Sequence, residues 1–247
     1  MDGSVIDALP AGLRPETRAQ GYAIQACLEG FSAKPLAGWK IAATSAAGQA
    51  HINVDGPIAG RLLAERLRDD GASVSIANNR MRVCEPEFAF RFAEDVPPRA
   101  APYSVEEALA RVGDLHLTIE LPDSRFTDFC AVGAPSLIAD DACAEVLIVG
   151  PRIDADWRAL DLARYPVRAE VKGRYDREGS GANVLSDPRI ALAWLVNEVT
   201  QMGITLRRGE LVTTGTCMVP LEVEPGDVVS ADFGALGRIG VRISDDG

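Results

Sequence analysis

"RMRVCEPEFAFRF", residues 80–92, is the stretch on which the reading of the fold turns. In a β-strand, successive side chains point to opposite faces. Cys84, Pro86, Phe88, Phe90 and Phe92 then share one apolar face, which asks for a core. Met81, Val83, Glu85, Glu87, Ala89 and Arg91 share the other. Both glutamates leave that second face, about 7 Å apart along the strand. Like charges that close repel, and one is driven neutral unless a cation lies between them. A hard divalent metal removes this penalty and accepts carboxylate oxygens. The competing reading is a solvent-facing strand with two surface glutamates, and this segment alone leaves both open.

"LHLTIEL", residues 115–121, repeats the pattern. Leu115, Leu117, Ile119 and Leu121 form one face; His116, Thr118 and Glu120 form the other. Glu120 ends the strand before the polar turn "PDSR". With Glu85 and Glu87 it makes three carboxylates from two strands, the oxygen-rich set that Mg²⁺ or Mn²⁺ takes. "GWKIAATS", residues 38–45, reads as a strand with Lys40 between Trp39 and Ile41. Such a lysine either reaches the surface or, pointing inward, donates a proton or fixes a carboxylate.

Working outward, "PETRAQGYAIQACLE" (15–29) predicts a helix with Pro15 in its first turn, an apolar stripe of Ala19, Tyr22, Ala23, Ala26 and Cys27, and Gly30 as its stop. "GPIAGRLLAERL" predicts a turn and a short helix. "SVEEALARVG" (104–113) opens with a capping box, Ser104 to Glu107. "EVLIVG" (145–150) reads as a central strand, and "VRAEVKGRY" (167–175) alternates. "DPRIALAWLVNEVTQMG" (187–203) is the clearest helix: Asp187 caps it, Pro188 fills its first turn and Gly203 stops it. The tail predicts three strands separated by "PGD" and "GALG" turns. Strands outnumber helices without regular βαβ alternation, so the class is α+β or mainly β, with a mixed sheet folded on itself. Residues 1–68 read as an N-terminal subregion wrapped onto the rest, because their helices are too few to make a core.

Composition narrows the function. The 247 residues are 47% hydrophobic, enough for one large domain or a main domain with a small appendage. A net charge of −11 argues against nucleic acid and anionic membranes as partners. Five scattered cysteines without a CxxC pair point to reduced thiols in the cytoplasm. The first residues do not read as a signal peptide, and no apolar run is long enough to span a membrane. Two histidines, His51 and His116, exclude a His-rich zinc site. No GxSxG, GxGxxG or Walker-type glycine loop is present. In "YDREGSGANVLSDP" (175–188), glycines beside a helix N-terminus would let Ser180 and Gly181 border a carboxylate; a plain flexible loop is the alternative.

Taken in order, "GWKIAATS", "EPEFAF", "TIELPDSRF", "GSGANVLSDPRIALAWLVNEV" and "GELVTTGTCMVPLEVEPGDVVSADFGALG" resemble the 2-keto-4-pentenoate hydratases and 2-oxohex-3-enedioate decarboxylases of the fumarylacetoacetate hydrolase superfamily. The resemblance runs from about residue 15 to residue 243. It implies a rolled mixed β-sandwich with an N-terminal α+β portion (1–68) and a fumarylacetoacetate-hydrolase-like catalytic domain (69–247). It implies Mg²⁺ or Mn²⁺ on Glu85, Glu87 and Glu120, with Lys40 as the active-site lysine. Thr214 and Thr216 keep hydroxyls near the family's places, and Thr216 joins Ser180 and Gly181 as a candidate substrate contact. The implied substrate is a small unsaturated 2-keto acid of aromatic meta-cleavage catabolism, and the implied assembly is a homo-oligomer.

The chain also departs from the family pattern. Where the hydratases read V-D-x-P-D-F-G, this chain reads "VDGPIAG", with Ile58 at the second aspartate and Asp55 at the first. The leading expectation is a hydratase. The alternatives are a keto-diacid decarboxylase and a relative that binds metal without turnover.

Overall fold

β5 and β6 form the axis of the fold. In the computed structural model, which describes residues 4–246, the strands are β1 (Gly38–Ala42), β2 (Ile58–Leu62), β3 (Leu67–Asp69), β4 (Ser73–Ser75), β5 (Val83–Phe92), β6 (Val112–Leu121), β7 (Val146–Arg152), β8 (Pro166–Val171), β9 (Tyr175–Ser180), β10 (Leu211–Thr213), β11 (Leu221–Glu222), β12 (Val228–Asp232) and β13 (Arg238–Ser244). The helices are α1 (Arg18–Ala26), α2 (Ala46–His51), α3 (Val105–Ala110), α4 (Gly133–Ala139) and α5 (Pro188–Gln201). One mixed sheet runs β2-β1-β10-β5-β6-β7-β3, with β11 pairing the start of β5; a second runs β4-β13-β12-β8-β9. This is the α+β class.

The alternation in β5 and β6 holds, but both faces are buried. Cys84, Phe88, Phe90, Leu115, Leu117 and Ile119 enter the main core. There Phe88 meets Phe233 edge to face, with ring centroids 5.1 Å apart, and Phe90 packs on Trp157. Each such ring contributes roughly 2–3 kcal/mol of burial. α5 closes the core with Ala191, Leu192, Leu195, Val196 and Val199. On the opposite face the sheet rolls up. Leu62 of β2 and Leu67 of β3, at its two edges, pack in one small cluster with Ala89, Leu147 and Leu211. This concave face holds the glutamates.

Several expectations need correction. "GPIAGRLLAERL" is strand β2 followed by a 3-10 turn; antiparallel pairing with β1 overrides its helical spacing. β7 is second from the sheet edge rather than central, next to β3. Pro15 lies outside α1, which Thr17 caps through a capping box with Gln20. Its Ala19, Ala23, Ala26 and Cys27 are exposed, and the buried face is Gly21, Tyr22 and Gln25. Gln25 is inside because its amide donates to Ala59 O (2.8 Å) and Ile138 O (2.9 Å), joining α1 to β2 and α4. α5 has the expected Asp187 cap and Pro188 start, and the capping box of α3 forms. Residues 1–68 supply β1 and β2 to the same sheet as β5 and β6, and β3 straddles position 68.

Candidate metal centre

The β5–β6 register puts Glu85 opposite Glu120 and Glu87 opposite Thr118. Cross-strand partners share a face, so the three carboxylates converge, with oxygens within 4.8 Å of one another. Glu87 and Glu120 are buried and Glu85 is half-buried. β1 reaches this face through β10, where Lys40 pairs with Thr213 and Thr213 with Ala89. Lys40 is 2% exposed. Its Nζ lies 3.0 Å from Glu120 Oε1 and donates to Ala142 O at 3.0 Å. Glu87 Oε2 accepts from Thr213 Oγ1 and from the Gly215 N–H, the latter at 2.8 Å.

Three buried oxygens, Glu87 Oε1 and both carboxylate oxygens of Glu120, have no hydrogen-bond partner, although Lys40 forms an ion pair with Glu120 Oε1. A buried acceptor left unpaired is costly. Burial, Glu120 and Glu85 push the Glu87 carboxyl well above its usual range, against Thr213 and Lys40. Burial and Glu120, opposed by Lys40, bring Glu85 to about 7. Burial raises Glu120, with Lys40 holding it down. Burial pulls Lys40 down, but Glu120, Glu85, Cys143 and Glu87 outweigh it, and the ammonium stays charged. One lysine cannot neutralise three carboxylates. A hard divalent cation would supply the missing charge and occupy the orphaned oxygens, so Glu85, Glu87 and Glu120 fit a metal of the Mg²⁺ type.

The backbone around this cluster is strained. Asp141, Ala142 and Cys143 all have left-handed φ, at 58°, 49° and 63°. For residues with a Cβ this costs roughly 1–2 kcal/mol each. The turn fits only because Gly60, opposite Lys40 on β2, has no side chain; a Cβ there would strike the Asp141 carbonyl oxygen. The Asp141 carboxylate accepts from the Arg61 N–H at 2.6 Å, and burial raises that carboxyl to about 7. Ala43, Leu185 and Ser186 are also left-handed, and Leu185 N donates to Thr44 O, joining the segments that follow β1 and precede α5. Strain of this kind collects at sites that over-determine geometry.

The other candidates lie apart from the carboxylates. "YDREGS" is strand β9, not a loop, and α5 begins only at Pro188, its N-terminus capped by Asp187. Ser180 N donates to Cys217 O at 3.0 Å, and Gly181 packs against the Leu162 carbonyl where a side chain has no room. Thr216 Oγ1 donates to Met218 O. Thr216 still sits between Gly215, which holds Glu87, and Cys217, whose N–H donates to Pro86 O. Among the described residues, no side-chain hydrogen bond links Ser180 or Thr216 to the cluster or to Lys40. The hydroxyl that does reach Glu87 belongs to Thr213; Thr214 turns away to Phe88 O. Pairing of "LVT" with β5 is the signal that selects Thr213 over its neighbour.

His51 is exposed and packs on Phe129. His116 shares the face of Glu120 but lies four residues away along β6, about 13 Å. Ile58 is fully buried on the Lys40 face of β2, opposite Ala42, and Asp55 is exposed and paired with Arg18. Two large grooves, of about 630 Å³ beside Arg66 and Asp123 and about 870 Å³ beside Arg91 and His116, lie away from the carboxylates. The orphaned oxygens, not groove size, mark the site.

The model of the fumarylacetoacetate hydrolase C-terminal family matches residues 53–244, a span that includes all three glutamates. The chain belongs to the fumarylacetoacetate hydrolase family. Within that family it is 28% identical over 221 residues to a 2-keto-4-pentenoate hydratase of Burkholderia vietnamiensis, covering 88% of this chain and 83% of the relative. It is also 28% identical over 207 residues to a 4-oxalocrotonate decarboxylase of Pseudomonas putida, covering 84% and 77%. A solved 4-oxalocrotonate decarboxylase from Pseudomonas putida, complexed with magnesium and adipate, superposes with a TM-score of 0.85 at 24% identity, over 97% of this chain and 91% of that one. That likeness establishes the rolled sandwich of the family. Its members are enzymes, and hydratases and decarboxylases stand equally near to this chain.

Proposed function

We propose that this protein is a divalent-metal-dependent lyase acting on a small unsaturated 2-keto acid in its 2-hydroxy-2,4-dienoate form. The carrying observation is the set of orphaned oxygens on Glu87 and Glu120 beside the buried Lys40 ammonium. Glu85, Glu87 and Glu120 hold Mg²⁺ or Mn²⁺, which when bound stabilises negative charge on the substrate's carboxylate and 2-oxygen. Lys40 stays charged and hydrogen-bonded, so its Nζ can anchor a substrate oxygen or deliver a proton during ketonisation. Thr213 and Gly215 N–H hold Glu87 in orientation, leaving its other oxygen free. Thr216, Ser180 and Gly181 are assigned to the outer wall that faces the substrate.

The leading reaction is addition of water to give a 4-hydroxy-2-oxo acid, as in aromatic meta-cleavage catabolism. The second reading is decarboxylation of a 2-oxohex-3-enedioate-type diacid, and Ile58 favours it. A buried isoleucine on the Lys40 face cannot take a proton from water, and loss of CO₂ needs no activated water. The free cysteines suit a reducing cytoplasm, no helix among the described residues is long and apolar enough to cross a membrane, and we assign a homo-oligomer.

The test is a UV assay with metal-stripped protein reloaded with Mg²⁺ or Mn²⁺. Loss of the 2-hydroxypenta-2,4-dienoate absorbance, with a product heavier by one water, establishes the hydratase. Release of CO₂ from 2-oxohex-3-enedioate, with no water added to the dienoate, establishes the decarboxylase. Metal binding without either reaction overturns both.

A further inference from the structure

We propose that the left-handed turn Asp141–Cys143 is a positioning element for Lys40. The Ala142 carbonyl takes one ammonium N–H donor and Glu120 pairs with the charge, which leaves donor capacity for a substrate oxygen. This rests on the reading of Lys40 given above. Four observations carry it. Lys40 Nζ donates to Ala142 O at 3.0 Å and forms an ion pair with Glu120 Oε1 at 3.0 Å, and among the described residues no other acceptor takes a hydrogen bond from it. Three successive residues with side chains adopt left-handed backbone that local preference opposes, and nothing in "DAC" supplies a glycine to ease it. Gly60 vacates the space this turn enters, directly opposite Lys40 in the β1–β2 ladder. The turn is pinned at both ends: the Asp141 carboxylate accepts from Arg61 N–H at 2.6 Å, and the Cys143 carbonyl accepts from Asp123 N–H at 3.0 Å.

A lysine with a four-carbon stem holds one geometry poorly without such partners. Glu120 alone would let the ammonium swing among the clustered carboxylates and compete with the metal for their oxygens. The neutral Ala142 acceptor draws it to one side without adding charge. Ala142 is thus a positioning residue that acts through Lys40, by its backbone rather than its side chain.

The test reads the ammonium itself. The chain has three lysines, and Lys34 and Lys172 are exposed. Isotope-labelled lysine should therefore give one slowly exchanging ammonium signal by NMR at neutral pH, from Lys40. In Gly60→Ala the added Cβ displaces the turn. Exchange of those protons should then quicken roughly tenfold, as loss of one hydrogen bond to a charged group predicts. kcat should fall by a comparable factor, while Mn²⁺, followed by its EPR signal, still binds. Ala142→Gly adds no volume and keeps the carbonyl. Without its Cβ, residue 142 also reaches conformations that carry its carbonyl away from Nζ, so exchange should quicken about threefold, and this variant decides the matter if Gly60→Ala does not fold. Wild-type exchange rates in the folded variants overturn the proposal. So does a loss of Mn²⁺ binding in step with faster exchange, which would make the turn general scaffold. If exchange responds as expected but no protein, wild type included, consumes either substrate, the positioning role stands and the assigned reaction falls.

Discussion

The concave face of β5 and β6 buries polar groups at both ends, and the two ends are finished differently. At one end His116 Nδ1 bonds Gly150 O at 2.9 Å, its Nε2 accepts from Arg91 Nε at 3.2 Å, and Arg91 donates onward to Gly209 O. Burial, with Arg91 adding to it, holds the imidazole pKa down, so the ring stays neutral with every polar atom paired. At the other end Glu87 Oε1 and Glu120 Oε2 are buried with no partner. The first end is closed wiring that stabilises the sheet. The second is incomplete, and what completes it must carry positive charge. A groove opens beside the first end, yet the carboxylates that fit a divalent metal lie at the second.

Single substitutions should break this comparison most sharply. Glu87→Gln removes a charged ligand while keeping shape. Mn²⁺ affinity should fall more than roughly 100-fold, beyond the effect of losing an outer-shell partner, and turnover should fall with it. The melting temperature of the metal-free protein should hold or rise, because a neutral amide replaces a carboxyl whose ionisation burial, Glu120 and Glu85 oppose. His116→Ala should do the reverse. It takes the imidazole partner from Gly150 O and from the Arg91 Nε–H, costs about 2 kcal/mol of stability, and leaves Mn²⁺ affinity unchanged. Calorimetric metal titration and thermal melts on the two variants check both halves. Metal affinity lost in His116→Ala would erase the distinction.

The pH dependence is a smaller effect. Burial holds Glu85, Asp141 and Glu210 up near 7, well above their values in an unfolded chain. A raised acid binds its proton more tightly when folded. Its stabilising contribution is therefore fully present below the unfolded value and is lost as pH rises through about 7. Metal-free protein should melt several degrees lower at pH 8 than at pH 5. Saturation with Mg²⁺ should remove the share due to the carboxylate cluster, because the cation replaces the proton. It should leave the share due to Glu210, which is held by Trp39 Nε1, and Asp141, held by Arg61 N–H. A metal-independent slope would place the titration outside the cluster.

The incomplete end was legible in the sequence because strand alternation is local. Glu85 and Glu87 must share a face, Glu120 follows the same rule on β6, and Lys40 stands out as the charge in an apolar strand. The surrounding support was not legible, because it depends on partners far along the chain. Ile58 and Leu62 space like a helix until β1 pairs with them. The alanines of α1 space like a buried stripe, yet Gln25 goes inward to reach Ala59 and Ile138. Ser180 and Gly181 looked like a loop before an anion-binding helix, but β8 claims Ser180 as the end of β9, and Gly181 opens a 3-10 turn. The left-handed turn has no glycine, asparagine or proline to announce it. Only Gly60, eighty residues earlier, makes room for it.

The finest version of the comparison lies between two adjacent threonines. Thr213 Oγ1 donates to Glu87 Oε2, and Thr214 Oγ1 donates to Phe88 O at 2.9 Å. Both are buried, and both make a hydrogen bond with β5. Thr213→Val keeps the shape and leaves Glu87 only the Gly215 N–H. The hydroxyl holds the Glu87 carboxyl down, so its loss lets the proton compete better with the metal. Apparent Mn²⁺ affinity at pH 7 should drop about threefold to tenfold, as for the net loss of one ordinary hydrogen bond, and the deficit should shrink as pH rises. Thr214→Val instead removes a hydrogen bond to a neutral carbonyl that still accepts from the Thr214 N–H. It should cost about 1 kcal/mol of stability with no change in metal affinity at any pH. If the two variants behaved alike, the sheet rather than the carboxylate would be the beneficiary of Thr213, and the boundary between wiring and site would move one residue toward Glu87.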